Sequence, residues 1–208
     1  MFLQHPPLKV LASFWKLILF AGIVTALVVG AVTALFPRQY RADAQVLIIS
    51  QSRYGVDPYT AAKSAERVGE NLVQVMGTND FYQKVITQSN RQLDLSKFEK
   101  LSERPKRKLW QKTLDASVVY GTSVLNVSVF NTNKEQSKEW AGAVVDVLSS
   151  KGWEYVGGDV IIKTVNDPVT TRFPVRPNLL LNVFLGFVVG VLGMGAMALK
   201  KGKIILVD

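Results

Sequence analysis

The chain has 208 residues, no cysteine and a formal net charge of +9, from 25 Lys and Arg against 16 Asp and Glu. The absence of cysteine excludes disulfides and thiolate metal sites. Five of the basic residues and Asp208 lie in short tails at the two ends, which leaves 20 basic and 15 acidic residues elsewhere. Because this excess is modest and no nucleic-acid motif accompanies it, we expect no nucleic-acid partner.

Two uncharged apolar runs, residues 17–36 and residues 179–199, lie near the ends of the chain. At about 1.5 Å per residue, a helix of either run is about 30 Å long and long enough to cross a bilayer. They predict two transmembrane helices, with tails at 1–16 and 200–208 on the same side of the membrane. Lysines lie on the tail side of both runs, which weakly favours cytoplasmic tails. Arginines also lie on the domain side of both runs, so charge alone does not decide the orientation.

A cleaved signal peptide is the alternative interpretation of the first run. Signal sequences usually have an apolar region of about 7–15 residues and end at a small-x-small site. The first run is longer, and the nearest such site, Ala42-Asp43-Ala44, lies beyond its end and contains a charge. These features favour an uncleaved helix.

Residues 37–178 begin with a strand at 40–50, in which Ala44, Val46 and Ile48 occupy alternate positions. Asp57-Pro58 predicts a helix start, since aspartate is a good N-cap and proline suits the first helical position. A second, shorter helix is expected after 77–79.

One or two short helices are predicted within 93–112, with Pro105 in the first turn of the second. Strands at 116–120 and 123–130 form a hairpin around Gly121, followed by a long helix at 134–153 and a strand at 160–165. This order predicts an α+β domain in which helices pack on a sheet. The whole chain is then an extracytoplasmic α+β domain flanked by two transmembrane helices.

Small residues recur every four positions in both apolar runs, which allows close helix approach in lipid. The pattern predicts helix packing, either within one chain or between copies. The residues are Gly22, Ala26, Gly30 and Ala34 in the first run and Gly186 and Gly190 in the second.

Nothing in the sequence marks a catalytic, cofactor or metal site. His5 is the only histidine and precedes the first apolar run, and no nucleotide-binding loop is present. We therefore expect a protein that is not an enzyme and that needs no cofactor. An unmarked glycan hydrolase is a distant alternative.

A basic cluster includes Arg104, Lys106, Arg107 and Lys108. Such a cluster can contact lipid phosphates or an acidic polymer, or it can be an ordinary solvated helix face. Proline-rich sequence leads into the second apolar run. Because Pro174 and Pro177 are fixed in φ and lack an N–H, they predict an extended approach and a helix that starts no earlier than Asn178.

The assembled layout resembles the chain-length-determinant (Wzz-type) family, the co-polymerases of bacterial surface polysaccharide assembly. Five segments carry the resemblance in order between the two apolar runs: residues 40–44, Asp57-Pro58, 79–82, 125–129 and 174–178.

The resemblance implies an inner-membrane protein with a periplasmic or extracellular domain. Such proteins oligomerise and work with a polymerase to set the length or export of lipopolysaccharide O-antigen, capsule or exopolysaccharide. We expect no long helical hairpin like that of larger members, because the domain has room only for the membrane-proximal base, and no fused kinase, because residues 200–208 contain no nucleotide-binding loop or tyrosine cluster. The short form is also similar to membrane adaptors that activate a separate cytoplasmic tyrosine kinase, which is the alternative function.

Overall fold

The computed structural model of the protein describes residues 7–50, 57–157 and 160–204. His5 and the outermost residues of both expected tails lie outside this part of the chain. The chain forms two compact units, one made of Met1–Arg38 with Arg176–Asp208 and the other of Gln39–Val175. In chain order the elements are α1 (Pro7–Ser13), α2 (Trp15–Ala34), β1 (Tyr40–Ser50), α3 (Pro58–Met76), α4 (Asn79–Gln88), α5 (Ser96–Glu99), α6 (Glu103–Thr113), β2 (Leu114–Val118), β3 (Val124–Asn131), α7 (Lys134–Lys151), α8 (Trp153–Val156), β4 (Val160–Thr170) and α9 (Leu179–Ile204).

The first unit consists of α2 and α9 packed against each other, with α1 also in contact with α9. The long helices α2 and α9 are both long and apolar enough to cross a membrane. Their bounds differ from the apolar runs. Helix α2 ends at Ala34 and not at residue 36, because Pro37 disfavours helical geometry at the residue before it. Helix α9 continues to Ile204 past the apolar run, since lysine is a good helix former.

Part of the expected amino-terminal tail is helical, because α1 covers Pro7–Ser13. Phe14 separates α1 from α2, with φ −102° and ψ 12°. Since Lys16 lies in the first turn of α2, the charge that bounds the apolar run does not bound the helix.

The second unit is a four-stranded antiparallel sheet in the order β2-β3-β1-β4 with helices on one face. Helix α7 packs on β1, β3 and β4, while α3 packs on β1 and β2. Alternate side chains of β1 point toward these helices, so Ala44, Val46 and Ile48 are fully buried, together with Leu125 and Val127 of β3. The chain is therefore a mixed helix-and-sheet protein, as the sequence predicts.

Local sequence accounts for the helix starts. The side chain of Asp57 accepts hydrogen bonds from the backbone N–H groups of Tyr59 (3.2 Å) and Thr60 (3.1 Å), and Pro58 is the first residue of α3. Thr78 caps α4, and Asn133 caps α7. Each cap satisfies backbone donors that the first turn of a helix leaves free.

The last strand is longer than residues 160–165, since β4 continues to Thr170. Its second half contains Asn166, Asp167 and Pro168, which alone suggest a turn. Because β4 lies at the edge of the sheet, Pro168 does not remove a needed hydrogen bond on the open side. Two register shifts against β1, around Gln45, accommodate the irregular segment.

The two ends of the second unit are joined by backbone hydrogen bonds. The N–H of Thr171 donates to the carbonyl oxygen of Arg41, and the N–H of Val175 donates to that of Gln39, both at 2.8 Å. The chain consequently enters and leaves this unit at one end of the sheet.

Candidate functional site

The small residues of α2 and α9 lie where the two helices touch. A Cβ atom added to Gly22 would come within 2.7 Å of Val191 and 2.8 Å of Phe187 in α9. One added to Gly186 would lie 2.9 Å from Cβ of Val29 in α2. The helices therefore approach closely through glycine surfaces, and the contact is between two helices of one chain.

The same contact surrounds Gly190 and Gly30. A Cβ atom on Gly190 would collide with Oγ1 of Thr25 and lie 2.8 Å from the carbonyl oxygen of Ala21. One on Gly30 would lie 3.0 Å from Val183. Any side chain at Gly190 would have to displace the backbone of α2, so this position should tolerate substitution least among the four glycines of the contact.

Ala26 is buried in the helix pair, whereas Ala34 is exposed. A spacing of four residues rotates about 40° around a helix at each step, so Ala34 lies about 120° from Gly22. Thr33, about 20° from Gly22 by the same count, is buried instead. The line of small residues from Gly22 to Ala34 therefore rotates around α2, and Ala34 lies outside the helix contact.

Three polar residues of the helix pair form hydrogen bonds that the pattern of small residues does not reveal. Oγ1 of Thr25 lies 2.9 Å from the carbonyl oxygen of Gly186, and Nδ2 of Asn182 donates to Oγ1 of Thr33 at 3.3 Å. The only sequence signal for them is that they are polar residues inside apolar runs. These bonds fix the register of α2 against α9.

The outer surface of the helix pair is strongly apolar. Large aliphatic and aromatic side chains of both helices are more than half exposed, a pattern that marks a surface made to contact an apolar phase or a partner. They include Phe20, Leu27, Val28, Leu180, Phe184, Val189 and Leu192.

The proline-rich segment ends where α9 begins, at Leu179. Oδ1 of Asn178 accepts a hydrogen bond from the N–H of Leu181 at 3.1 Å, in the manner of a helix N-cap. Pro174 precedes Val175, whose N–H pairs with Gln39, and the Arg176–Pro177 peptide bond is cis. No helix includes Pro174 or Pro177.

The basic cluster lies on α6, and its members are not equivalent. Arg104, Arg107 and Lys108 are exposed. Lys106 is half-buried and its Nζ pairs with Oε1 of Glu103 at 3.2 Å. Lys106 lies four residues before the buried Trp110 and shares its side of the helix, so its stem is directed toward the core.

A second charged cluster ties α4 to α8. Nζ of Lys84 lies 2.6 Å from Oε2 of Glu154 and 4.3 Å from the centre of the Tyr155 ring, while the Tyr155 hydroxyl donates to Asp80. The hydrogen bond to Glu154 raises the pKa of Lys84, and the same bond lowers the pKa of Glu154. Burial raises the pKa of Tyr155. Since the groups are mutually paired, this cluster is a structural tie.

Among residues 7–50, 57–157 and 160–204, no three His, Cys, Asp or Glu side chains are grouped so as to hold a metal ion. No protein-family model matches the chain, and a search of curated proteins finds no match.

Proposed function

We propose that the chain is a two-span protein of the bacterial cytoplasmic membrane, with both termini in the cytoplasm and the Gln39–Val175 unit outside it. By oligomerising around a polymerase, it regulates the chain length or export of a surface polysaccharide and catalyses no reaction itself. The observation that carries this proposal is the apolar pair of α2 and α9 on either side of a folded α+β unit in the sequence.

The surface of the helix pair supports insertion in a membrane. Exposing its large apolar side chains to water would be unfavourable in free energy, and Leu180 (83% exposed) and Leu27 (67% exposed) are examples. The polar side chains of Thr25, Thr33 and Asn182 instead bond between the two helices. Apolar groups outside and satisfied polar groups inside are the arrangement that a hydrocarbon solvent requires.

The α+β unit supports the two-span layout. Its first and last residues, Gln39 and Val175, are hydrogen-bonded to each other. Both connections to the apolar helices thus leave the unit from one place, as expected for a domain that returns to the membrane face from which it started. Lys16 at one end and Lys200 at the other favour cytoplasmic tails.

The order of elements also supports the proposal, because the strand after the first apolar helix pairs with the strand before the last. The choice of a chain-length determinant comes from the resemblance of the sequence segments that lie in order between the two apolar runs. In such a protein the folded unit acts through where it is held and how many copies assemble, and it needs no reactive group. The charged clusters among the described residues are ion-paired or lie on solvated faces, which agrees with that role.

The test is deletion of the gene in the bacterium that encodes it, with surface polysaccharide length measured by gel electrophoresis. We expect an altered length distribution, restored by the wild-type gene and by a Leu27→Val control on the exposed surface of α2. Complementation with Gly22→Leu combined with Gly30→Leu should fail.

Unchanged polymer length and export in the deletion strain would contradict the proposal. If tyrosine phosphorylation of a cytoplasmic kinase fell in that strain while the polymer stayed the same, the adaptor function would replace it.

A further inference from the structure

The sheet face opposite α7 carries a continuous row of uncharged polar side chains across all four strands. Ser117 of β2 pairs with Asn126 of β3, which pairs with Gln45 of β1, which pairs with Asn166 of β4. At about 4.8 Å between strands, the row is about 14 Å long. Every position in it has a hydroxyl or an amide group.

A second row lies beside the first and is also largely polar. Asp43 accepts hydrogen bonds from Oγ of Ser128 at 2.6 Å and from Nε of Arg41 at 2.9 Å. Asp115 of β2, which pairs with Ser128, begins this row, and Val169 of β4 ends it. Residues of both rows line an open groove of about 440 Å³.

Hydrogen bonds within the first row hold its amides in place. Nε2 of Gln45 donates to Oδ1 of Asn126 at 2.9 Å, and the backbone N–H of Gln45 donates to Oδ1 of Asn166 at 2.8 Å. Both asparagine oxygens are therefore used. Among the described residues, Nδ2 of Asn126 and Nδ2 of Asn166 are left as donors and Oε1 of Gln45 as an acceptor.

The charges of the groove indicate a neutral occupant. Its two ionic side chains, Arg41 and Asp43, form an ion pair and cancel each other. Asp115, at the β2 end of the second row, adds a negative charge beside the groove. A phosphate or a polyanion would therefore find no net positive charge to neutralise it. A neutral polyol needs no charged partner to bind, and each of its hydroxyls both donates and accepts hydrogen bonds.

We propose that this groove binds a neutral, hydroxyl-rich segment of a glycan. The side chains of Asn126 and Asn166 donate to its hydroxyl oxygens, and those of Gln45 and Ser117 accept from its hydroxyls. The inference rests on the proposed function for its choice of a glycan among polyols, and it assigns a site on the α+β unit.

A second copy of the chain is a poorer occupant of the same face. The cores of interfaces between copies are enriched in aromatic and aliphatic side chains. The row from Ser117 to Asn166 contains neither. The adjacent Val169 is the one large apolar side chain among the groove residues that belongs to the two rows.

The test uses the full-length chain in lipid nanodiscs. The probes are oligosaccharides released from the surface of the bacterium that encodes it, separated by anion exchange into a neutral and an acidic pool. Binding is measured by biolayer interferometry. Asn126→Asp keeps the oxygen that accepts from Gln45 but loses the N–H donors, whereas Gln45→Ala removes the central amide.

We expect the neutral pool to bind, with about tenfold weaker binding for each variant, since one lost hydrogen bond changes affinity by about that factor. Gln74→Ala, which removes an exposed glutamine of α3 away from the groove, should bind as the wild type does. Circular dichroism confirms that each variant is folded.

Three results would overturn the inference: no binding of the neutral pool, binding of the acidic pool alone, or equal binding by all three variants. A change of particle mass in the two groove variants would also overturn it, in favour of a contact between copies. Polymer length in the deletion strain is a separate measurement. An altered length without binding of the neutral pool would contradict the glycan site and leave the proposed function standing. Binding of the neutral pool with an unaltered length would contradict the proposed function and leave the glycan site standing.

Discussion

Oγ1 of Thr25 in α2 lies 2.9 Å from the carbonyl oxygen of Gly186 in α9, across the contact between the two apolar helices. The same hydroxyl is 2.9 Å from the carbonyl oxygen of Ala21 and 3.0 Å from that of Gly22 in its own helix. A Cβ atom at Gly190, one turn further along α9, would collide with this hydroxyl, so glycine at that position leaves room for the contact. One threonine therefore joins the backbones of both helices.

Thr25→Val keeps the shape of the side chain and removes this hydrogen bond. Because interhelical hydrogen bonds in membranes contribute modestly, we expect a loss of about 0.5–1.5 kcal/mol in the free energy of unfolding. Thermal melting of the purified chain in detergent measures the change. Leu27→Val, on the exposed surface of the same helix, is the control, and an equal melting temperature for both variants would show that the bond contributes nothing.

Gly190→Ala and Gly193→Ala form a matched pair in α9. A methyl group at Gly190 meets Thr25 and the backbone of α2, whereas one at Gly193 meets no described atom within 4 Å. We expect Gly190→Ala to cost about 1–3 kcal/mol through overpacking. Gly193→Ala should be neutral or stabilise the helix by up to about 1 kcal/mol. Melting in detergent distinguishes them, and the reverse order would refute the close helix contact.

Trp110→Phe tests the buried aromatic core of the α+β unit. Nε1 of Trp110 donates to the carbonyl oxygen of Met76 at 2.7 Å, and the side chain is 1% exposed. Phenylalanine leaves that carbonyl without its donor and leaves a small cavity, so we expect a loss of about 1–3 kcal/mol.

Trp153→Phe is the control for this substitution, because Trp153 is half-exposed and its hydrogen bond to Ser150 can be replaced by water. Thermal unfolding followed by circular dichroism compares the two variants. A Trp110 variant as stable as the control would contradict a structural role for this bond.

Glu154→Gln tests the charged tie between α4 and α8 through pH. The hydrogen bond from Lys84 lowers the pKa of Glu154 below its ordinary value of 4.5, so the folded state favours the charged carboxylate. The stability from this bond is present above that ordinary value and is lost as pH falls through the lower, folded-state pKa. The wild type should therefore lose more melting temperature on acidification from neutral pH than Glu154→Gln does.

Glu70→Gln makes the same charge change on the exposed side of α3 and is the control. Its melting temperature should follow the pH dependence of the wild type. If Glu154→Gln also followed it, the tie between Lys84 and Glu154 would carry no pH-dependent stability.

Local sequence was enough to predict most elements of the α+β unit. Alternation in β1, the Asp57-Pro58 helix start and the turn at Gly121 each depend on neighbouring residues alone, and the structure has β1 at Tyr40–Ser50, α3 from Pro58 and Gly121 at φ 71°. The end of β4 could not be predicted in this way. Asn166, Asp167 and Pro168 suit a turn locally, and only the edge position of the strand makes them acceptable in a sheet.

Two long apolar helices and one α+β unit between them in the sequence could be predicted from residue order alone, because charge, apolar length and capping residues act over a few positions. Three relations could not be predicted in this way: Gly190 faces Thr25, Ala34 lies away from the helix contact, and one row is formed by Ser117, Asn126, Gln45 and Asn166. These relations join residues far apart in the chain. They depend on helix rotation and strand register, which the packing of the whole unit sets and no short stretch encodes.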